Sequence, residues 1–160
     1  ALTAENPLSM VPTLGLDDGT CLYDSPVICE YLDRLHDGPP LIPADGPERW
    51  RVLRDQAMAD GVLDCAVLAF VETHKRPESL RWDWWLELKQ RAIMRALDEL
   101  ESSASAWVGR LDLGVISLAV ALAYLDLRGA IGDWRPGRPA LTGWFGAFSE
   151  RPSMQATAPG

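Results

Sequence analysis

Residues 37–47 (DGPPLIPADGP) hold four prolines and two glycines in eleven positions. Proline lacks a backbone N–H and clashes with the preceding helical turn, and it pushes the residue ahead of it into extended conformations. No helix or central strand crosses such a stretch. It therefore cuts the 160-residue chain into a short first piece and a long second one. The reading is a domain portion over 1–37, a linker over 38–47 and a second domain over 48–160.

The two pieces differ in pattern. In the first, Val11 to Leu16 is β-permissive, Asp17-Asp18-Gly19 supplies a tight turn, and Thr20 to Tyr23 returns as a second strand. Ser25 reads as a helix N-cap with Pro26 at the first helical position. Val27, Ile28, Tyr31, Leu32 and Leu35 then form an apolar stripe. In the second piece everything reads as helix, over 48–74, 79–102, 113–127 and 139–149. The helix over 113–127 is apolar nearly all round, which predicts the buried centre of the domain. The expected fold class is α/β plus all-α. Two short strands and one helix cannot cover both faces of a sheet, so the pattern also predicts further strands outside this sequence.

Charge and cysteines narrow the function classes. A formal charge of −8 and a pI near 4.7 repel phosphate backbones, so no nucleic-acid partner is expected. Lys75 and Arg76 read as a solvated helix end. The longest apolar run, Val115 to Leu122, falls short of the roughly 18 residues of a membrane span, and no membrane partner is expected. Cys21, Cys29 and Cys65 are odd in number and lack CxxC spacing, which argues for a reducing, cytoplasmic setting and against a disulfide framework or zinc site. His36 and His74 have no ligand-spaced partner, so no metal is expected. Trp82, Trp84 and Trp85 cannot share one face of a helix, since neighbours lie about 100° apart. At least one of them should be exposed or at an interface.

The segment "NPLSMVPTLGLDDGTCLYDSPVICEYLD" resembles the second half of the thioredoxin-like domain of cytosolic glutathione transferases. That family's pattern is Asn-Pro-x-Gly-x-Val-Pro-x-Leu followed by an acid–Ser pair that opens a helix. "RALDELE", "LGVISLAVALAYLDLR" and "RPALTGWFGAFSERPSMQATAP" are similar to later landmarks of the family's helical domain. The resemblance implies a partial thioredoxin-like domain, a hairpin and a helix, followed by a helical bundle.

It also implies a site. Val11-Pro12 would be a cis peptide, with the Val11 N–H and C=O pairing with the cysteinyl backbone of glutathione as an added strand would. Asp24 and Ser25, at the next helix start, would hold the γ-glutamyl end: Ser25 its carboxylate, with the helix N-terminus helping, and Asp24 its ammonium. Glutathione is then a co-substrate and the protein a homodimer. The electrophile pocket, or the dimer face, would draw on Asp60, Asp64 and Val67, with a solvated helix acid as the alternative for each carboxylate.

Three departures from the family pattern stand out. Ser9-Met10 replaces a common Gly-Lys, removing a lysine that can reach the glycyl carboxylate. At the buried helix, Asp112 takes the cap, Val115 replaces an acid, and Leu111 can staple to Ile116. The family's first βαβ unit, which carries the Tyr, Ser or Cys that activates the glutathione sulfur, precedes the position of Asn6. No catalytic residue is therefore named in this sequence. Tyr23 and Cys21 read as packing residues and Cys65 as a small buried hydrophobe. Two functions stay open: a transferase conjugating or reducing small apolar electrophiles, and a non-catalytic module for protein contacts. Asp24-Ser25 favours the first. Ser9-Met10 and the missing front unit favour the second.

Overall fold

The computed structural model describes residues 2–158. Its elements in order are α1 (Leu2–Glu5), β1 (Leu14–Gly15), β2 (Cys21–Leu22), α2 (Ser25–Leu32), α3 (Gly46–His74), α4 (Asp83–Ser103), α5 (Leu113–Arg128), α6 (Pro139–Ser149) and α7 (Pro152–Ala156). Single 3-10 turns at Glu78–Leu80 and Ala104–Trp107 lie on either side of α4. The architecture is the expected α/β plus all-α. Two compact units divide between Arg49 and Trp50.

In the first unit β1 and β2 pair antiparallel, Leu14 with Leu22 and Gly15 with Cys21. The ladder is shorter than the strands read from the sequence. Pro12 has no N–H for a ladder, and Asp18 closes the other end early by accepting the Thr20 amide at 2.8 Å. That backbone hydrogen bond holds the Asp18 carboxyl below its usual range. Gly19 sits at φ 86°, where only glycine is unstrained.

Helix α2 begins one residue earlier than its sequence suggests. Asp24 is extended and its carbonyl accepts the Ile28 amide, which makes Asp24 the cap and Ser25 the first helical residue. Of its apolar stripe only Ile28 is buried, while Val27, Leu32 and Leu35 are exposed. The Pro/Gly stretch is tied back to α2. Asp33 accepts the amides of Leu41 and Ile42 at 2.7 and 2.9 Å. Arg49 joins the Glu30 carboxylate to the Pro43 carbonyl. Hydrogen bonds from Arg49 and then Arg34 keep the Glu30 carboxyl below its usual range.

The second unit is built around α5. Helix α3 turns Val52, Asp55, Ala59, Val62, Ala66 and Ala69 inward, an alternating three-and-four spacing that keeps one seam facing its neighbours. Ile93, Leu97 and Leu100 of α4 and Leu141, Trp144, Phe145 and Phe148 of α6 complete the walls. The expected burial of α5 holds: Leu113, Val115, Leu118, Ala119, Ala121, Leu122 and Leu125 are all buried.

Polar bonds hold these helices in register. Asp112 caps α5 by accepting the Val115 amide at 3.1 Å. Arg110 donates to Asp112 at 2.8 Å and to Asp55 of α3 at 3.1 Å. Along α4, Gln90 donates to the Ala130 carbonyl, Asp98 accepts from Arg138, and Glu101 accepts the amides of Ala140 and Leu141 at the start of α6. Asp126 accepts from the buried Trp134 indole and, with both oxygens, from Arg135.

The start of α4 is set by Glu72, whose nearly buried carboxylate accepts the Trp82 amide at 2.7 Å and Arg76 Nε at 2.8 Å. The helix therefore begins at Asp83, four residues later than its sequence suggests. Trp82 and Trp84 are both exposed, with ring centroids 5.1 Å apart, and Trp85 is half-buried. No helix among the described residues is long and apolar enough to cross a membrane.

Two expectations follow. A methyl at Gly114 would meet Asp55 Cβ at 2.8 Å and the Val52 carbonyl at 2.9 Å, so Gly114→Ala forces α5 off α3. Overpacking of about 1–3 kcal/mol outweighs the roughly 0.5–1 kcal/mol that alanine returns to a helix. Urea unfolding should show a net loss of about 1–2 kcal/mol, and an unchanged midpoint would contradict the close approach.

The second concerns pH. The Trp82 amide and then Arg76 lower the Glu72 pKa. Its stabilising effect is therefore complete above the ordinary glutamate range near about pH 4.3 and disappears as pH falls through the lower folded value. Wild type should be more stable than Glu72→Gln at neutral pH, and the gap should close in acid. A gap independent of pH would refute this role.

Candidate functional site

The hairpin register has a direct consequence for the site. Val11-Pro12 runs into β1 and Asp24-Ser25 runs out of β2, so antiparallel pairing directs both segments to the open end of the hairpin. These four sequence-predicted residues thus come from one end of one supersecondary unit.

The loop before β1 is organised by Asn6, which is 1% exposed. Its Oδ1 accepts the Leu8 amide at 3.0 Å, an Asx turn, while its Nδ2 donates to the Met10 carbonyl at 3.0 Å and to Thr13 Oγ1 at 3.3 Å. Thr13 Oγ1 also donates to the Met10 carbonyl, and Ser9 adopts φ 54°. These bonds account for residues 6, 8, 10 and 13 and leave out Val11. Its side chain and backbone stand clear, with the residue 77% exposed. Among the described residues no hydrogen bond is formed by its N–H or C=O. The Val11-Pro12 bond is cis, as the resemblance implied, and Tyr23-Asp24 is a second cis bond.

At the other segment Asp24 makes no side-chain cap bond to α2. Pro26 has no N–H, and the first intrahelical amide to be bonded is that of Ile28. The amides of Ser25 and Val27 are left at the positive end of the helix dipole beside a half-buried Ser25. Donors without an internal acceptor at a helix start suit an anionic group. Val11 adds one donor and one acceptor of the kind an extended peptide backbone takes up.

The other candidates fall elsewhere. Asp60, Asp64 and Val67 share one face of α3, with Asp60 half-buried and Asp64 and Val67 exposed. Cys21 lies on β2 and is half-buried; Tyr23 follows it and is exposed. Cys65 is half-buried, lining a small groove between α3 and α4 with Gly61 and Ala96. Sequence reasoning named no role for Asn6. An Asn-Pro step before a short loop was the available signal, since asparagine readily bonds the backbone two residues on. Among the described residues no group of three or more His, Cys, Asp or Glu is placed to hold a metal ion.

The family model for the N-terminal domain of glutathione S-transferase matches residues 1–35. YibF, an uncharacterised glutathione-S-transferase-like protein of Escherichia coli K12, is 32% identical over 157 residues, covering 96% of this chain and 77% of that protein. A glutathione transferase family member from Pseudomonas fluorescens Pf-5, solved with bound glutathione, is 44% identical with a TM-score of 0.96, over 99% of this chain and 78% of that one. A glutathione S-transferase from Methylobacillus flagellatus KT, with glutathione bound, is 36% identical with a TM-score of 0.93, over 99% and 80%. The chain belongs to the glutathione S-transferase family.

Asn6→Ala tests the organisation of the loop. Losing a buried side chain with three bonds should destabilise by about 1–3 kcal/mol. Exchange of the Leu8 amide should rise at least several-fold more than that of residues in α5. Equal changes in both regions would mean that Asn6 acts on global stability alone.

Proposed function

We propose that the protein is a glutathione transferase that conjugates or reduces small apolar electrophiles. The observation that carries this reading is the exposed, unpaired N–H and C=O of Val11 at the same end of the hairpin as the uncapped start of α2. In this reading residues 1–37 are the C-terminal part of a thioredoxin-like glutathione-binding domain. Residues 38–47 link it to the all-α domain over 48–160. The protein acts as a cytoplasmic homodimer on a small-molecule electrophile.

The roles follow from the chemistry of each group. Val11 takes the glutathione backbone as an added strand, donating one hydrogen bond and accepting another. Pro12 supports this by shaping the turn and offering no competing N–H. The Ser25 hydroxyl and amide hold the γ-glutamyl carboxylate at the positive end of α2, and Asp24, which is exposed, pairs with the γ-glutamyl ammonium. Binding fixes the sulfur in position. Its proton passes to solvent or a base, and the thiolate then bonds to the electrophilic carbon. Either a leaving group departs from that carbon with its electron pair, or a double bond opens and the anion formed takes a proton from solvent. Asp60, Asp64 and Val67 contribute to the electrophile site or the dimer face. Neither Tyr23 nor Cys21 is assigned to sulfur activation.

Ser25→Ala tests the binding roles. Removing a hydroxyl that meets a charged carboxylate should weaken glutathione about tenfold or more by calorimetry, with Ser25→Thr retaining most of the affinity. Unchanged affinity in Ser25→Ala would remove Ser25 from the site. A chain that binds glutathione yet accelerates thiol addition to no electrophile would belong to the non-catalytic reading, which Ser9-Met10 in place of Gly-Lys favours.

A further inference from the structure

We propose that the site at the open end of the hairpin prefers a glutathione derivative over free glutathione: one whose glycyl carboxyl is closed as an amide, with an amine beyond it. This rests on the roles proposed above for Val11 and Ser25, and it names the ligand class of that same site.

Charge decides the point. Free glutathione carries two carboxylates, and each needs donors. The γ-glutamyl carboxylate has them in the hydroxyl of Ser25 and the free amides at the start of α2. The glycyl carboxylate has no counterpart. Residues 1–33 include Glu5, Asp17, Asp18, Asp24, Glu30 and Asp33, but no Lys, Arg or His. The basic side chains of the first unit are Arg34, His36 and Arg49. Arg34 and Arg49 lie 3.2 and 3.1 Å from Glu30, and His36 lies 3.5 Å from Asp33. All three are thus held toward the far end of α2, roughly 8–12 Å along the helix axis from Ser25.

Position sharpens the mismatch. An extended tripeptide with its cysteine on Val11 and its γ-glutamyl end on Ser25 carries its glycine past the other side of Val11. That side belongs to the loop leading into β1, where Leu8 and Met10 are 68% and 62% exposed. Asn6 ties itself to this loop by donating to the Met10 carbonyl at 3.0 Å. Its neighbour Glu5 is exposed and forms no ion pair among the described residues. A free glycyl carboxylate therefore meets apolar side chains and a like charge. An amide removes the repelled charge, and an ammonium a few bonds further on is drawn to Glu5.

Three peptides provide the test: glutathione, its glycinamide, and that amide extended by an aminobutyl group. The first step removes a negative charge and the second adds a positive one. Calorimetry on the full chain at low ionic strength should show affinity rising in that order, about threefold at each step. The differences should shrink as salt is added. Met10→Lys should strengthen glutathione about tenfold and weaken the aminobutyl amide, reversing the order. Glu5→Gln should reduce the advantage of the aminobutyl amide over the glycinamide. Both replaced side chains are exposed, so neither variant disturbs packing. Free diaminobutane at equal concentration should not displace the aminobutyl amide.

Glutathione binding as tightly as its glycinamide would overturn the proposal, because a carboxylate would then be recognised at that end. So would an unchanged order in Met10→Lys. Displacement by diaminobutane would also overturn it, by reducing the preference to general attraction of amines to an acidic chain. If none of the three peptides binds, the glutathione reading of the site falls and this inference with it. An inverted order with binding intact overturns this inference alone.

Discussion

The helical unit depends on the contact between the first turn of α5 and the middle of α3. Gly114 brings the two backbones so close that a single methyl has no room. The same approach would strand polar groups at the buried end of α5 were it not for Asp112, Arg110 and Asp55. Asp112 supplies the cap, Arg110 neutralises two nearly buried carboxylates at once, and Asp55 carries the tie across to α3. Removing the arginine would leave the Asp55 carboxylate with only the exposed Arg54 and the Asp112 carboxylate with only the Val115 amide. Removing either carboxylate leaves the arginine short of a partner. The apolar packing of α5 then proceeds from a fixed end.

The first unit uses a different device. It has little apolar interior, and its order comes from side chains that bond to backbone. Asn6 holds the loop ahead of β1, Asp18 closes the turn, and Asp33 and Arg49 gather the Pro/Gly stretch. Polar side chains can fix a backbone without covering it. That explains how Val11 is both immobilised by its neighbours and left with its own N–H and C=O unused.

What could be read from the sequence follows the same division. The helices of the second unit were legible because their apolar spacing records burial directly, and α6 begins and ends where that spacing says. The class of the first unit, its hairpin, and the Val11-Pro12 and Asp24-Ser25 pairs were legible from turn residues and from family resemblance. The precise ends were not. The start of α4 depends on Glu72, ten residues upstream of the Trp82 amide it accepts, and no local pattern reports such a bond. The start of α2 depends on the backbone of Asp24, where a serine followed by proline looked the better cap. Arg110 and Asn6 escaped notice because a lone arginine or asparagine has no periodicity.

The three ties from α4 share a regularity. Gln90 meets Ala130, Asp98 meets Arg138, and Glu101 meets Leu141, each pair forty residues apart in the chain. A constant offset means that the return segment runs alongside α4 in the same direction, with α5 as the crossover between them. The length of that crossover is therefore set by its surroundings. An extra residue anywhere in α5 would have to be absorbed before Ala130, or it would put all three ties out of step together.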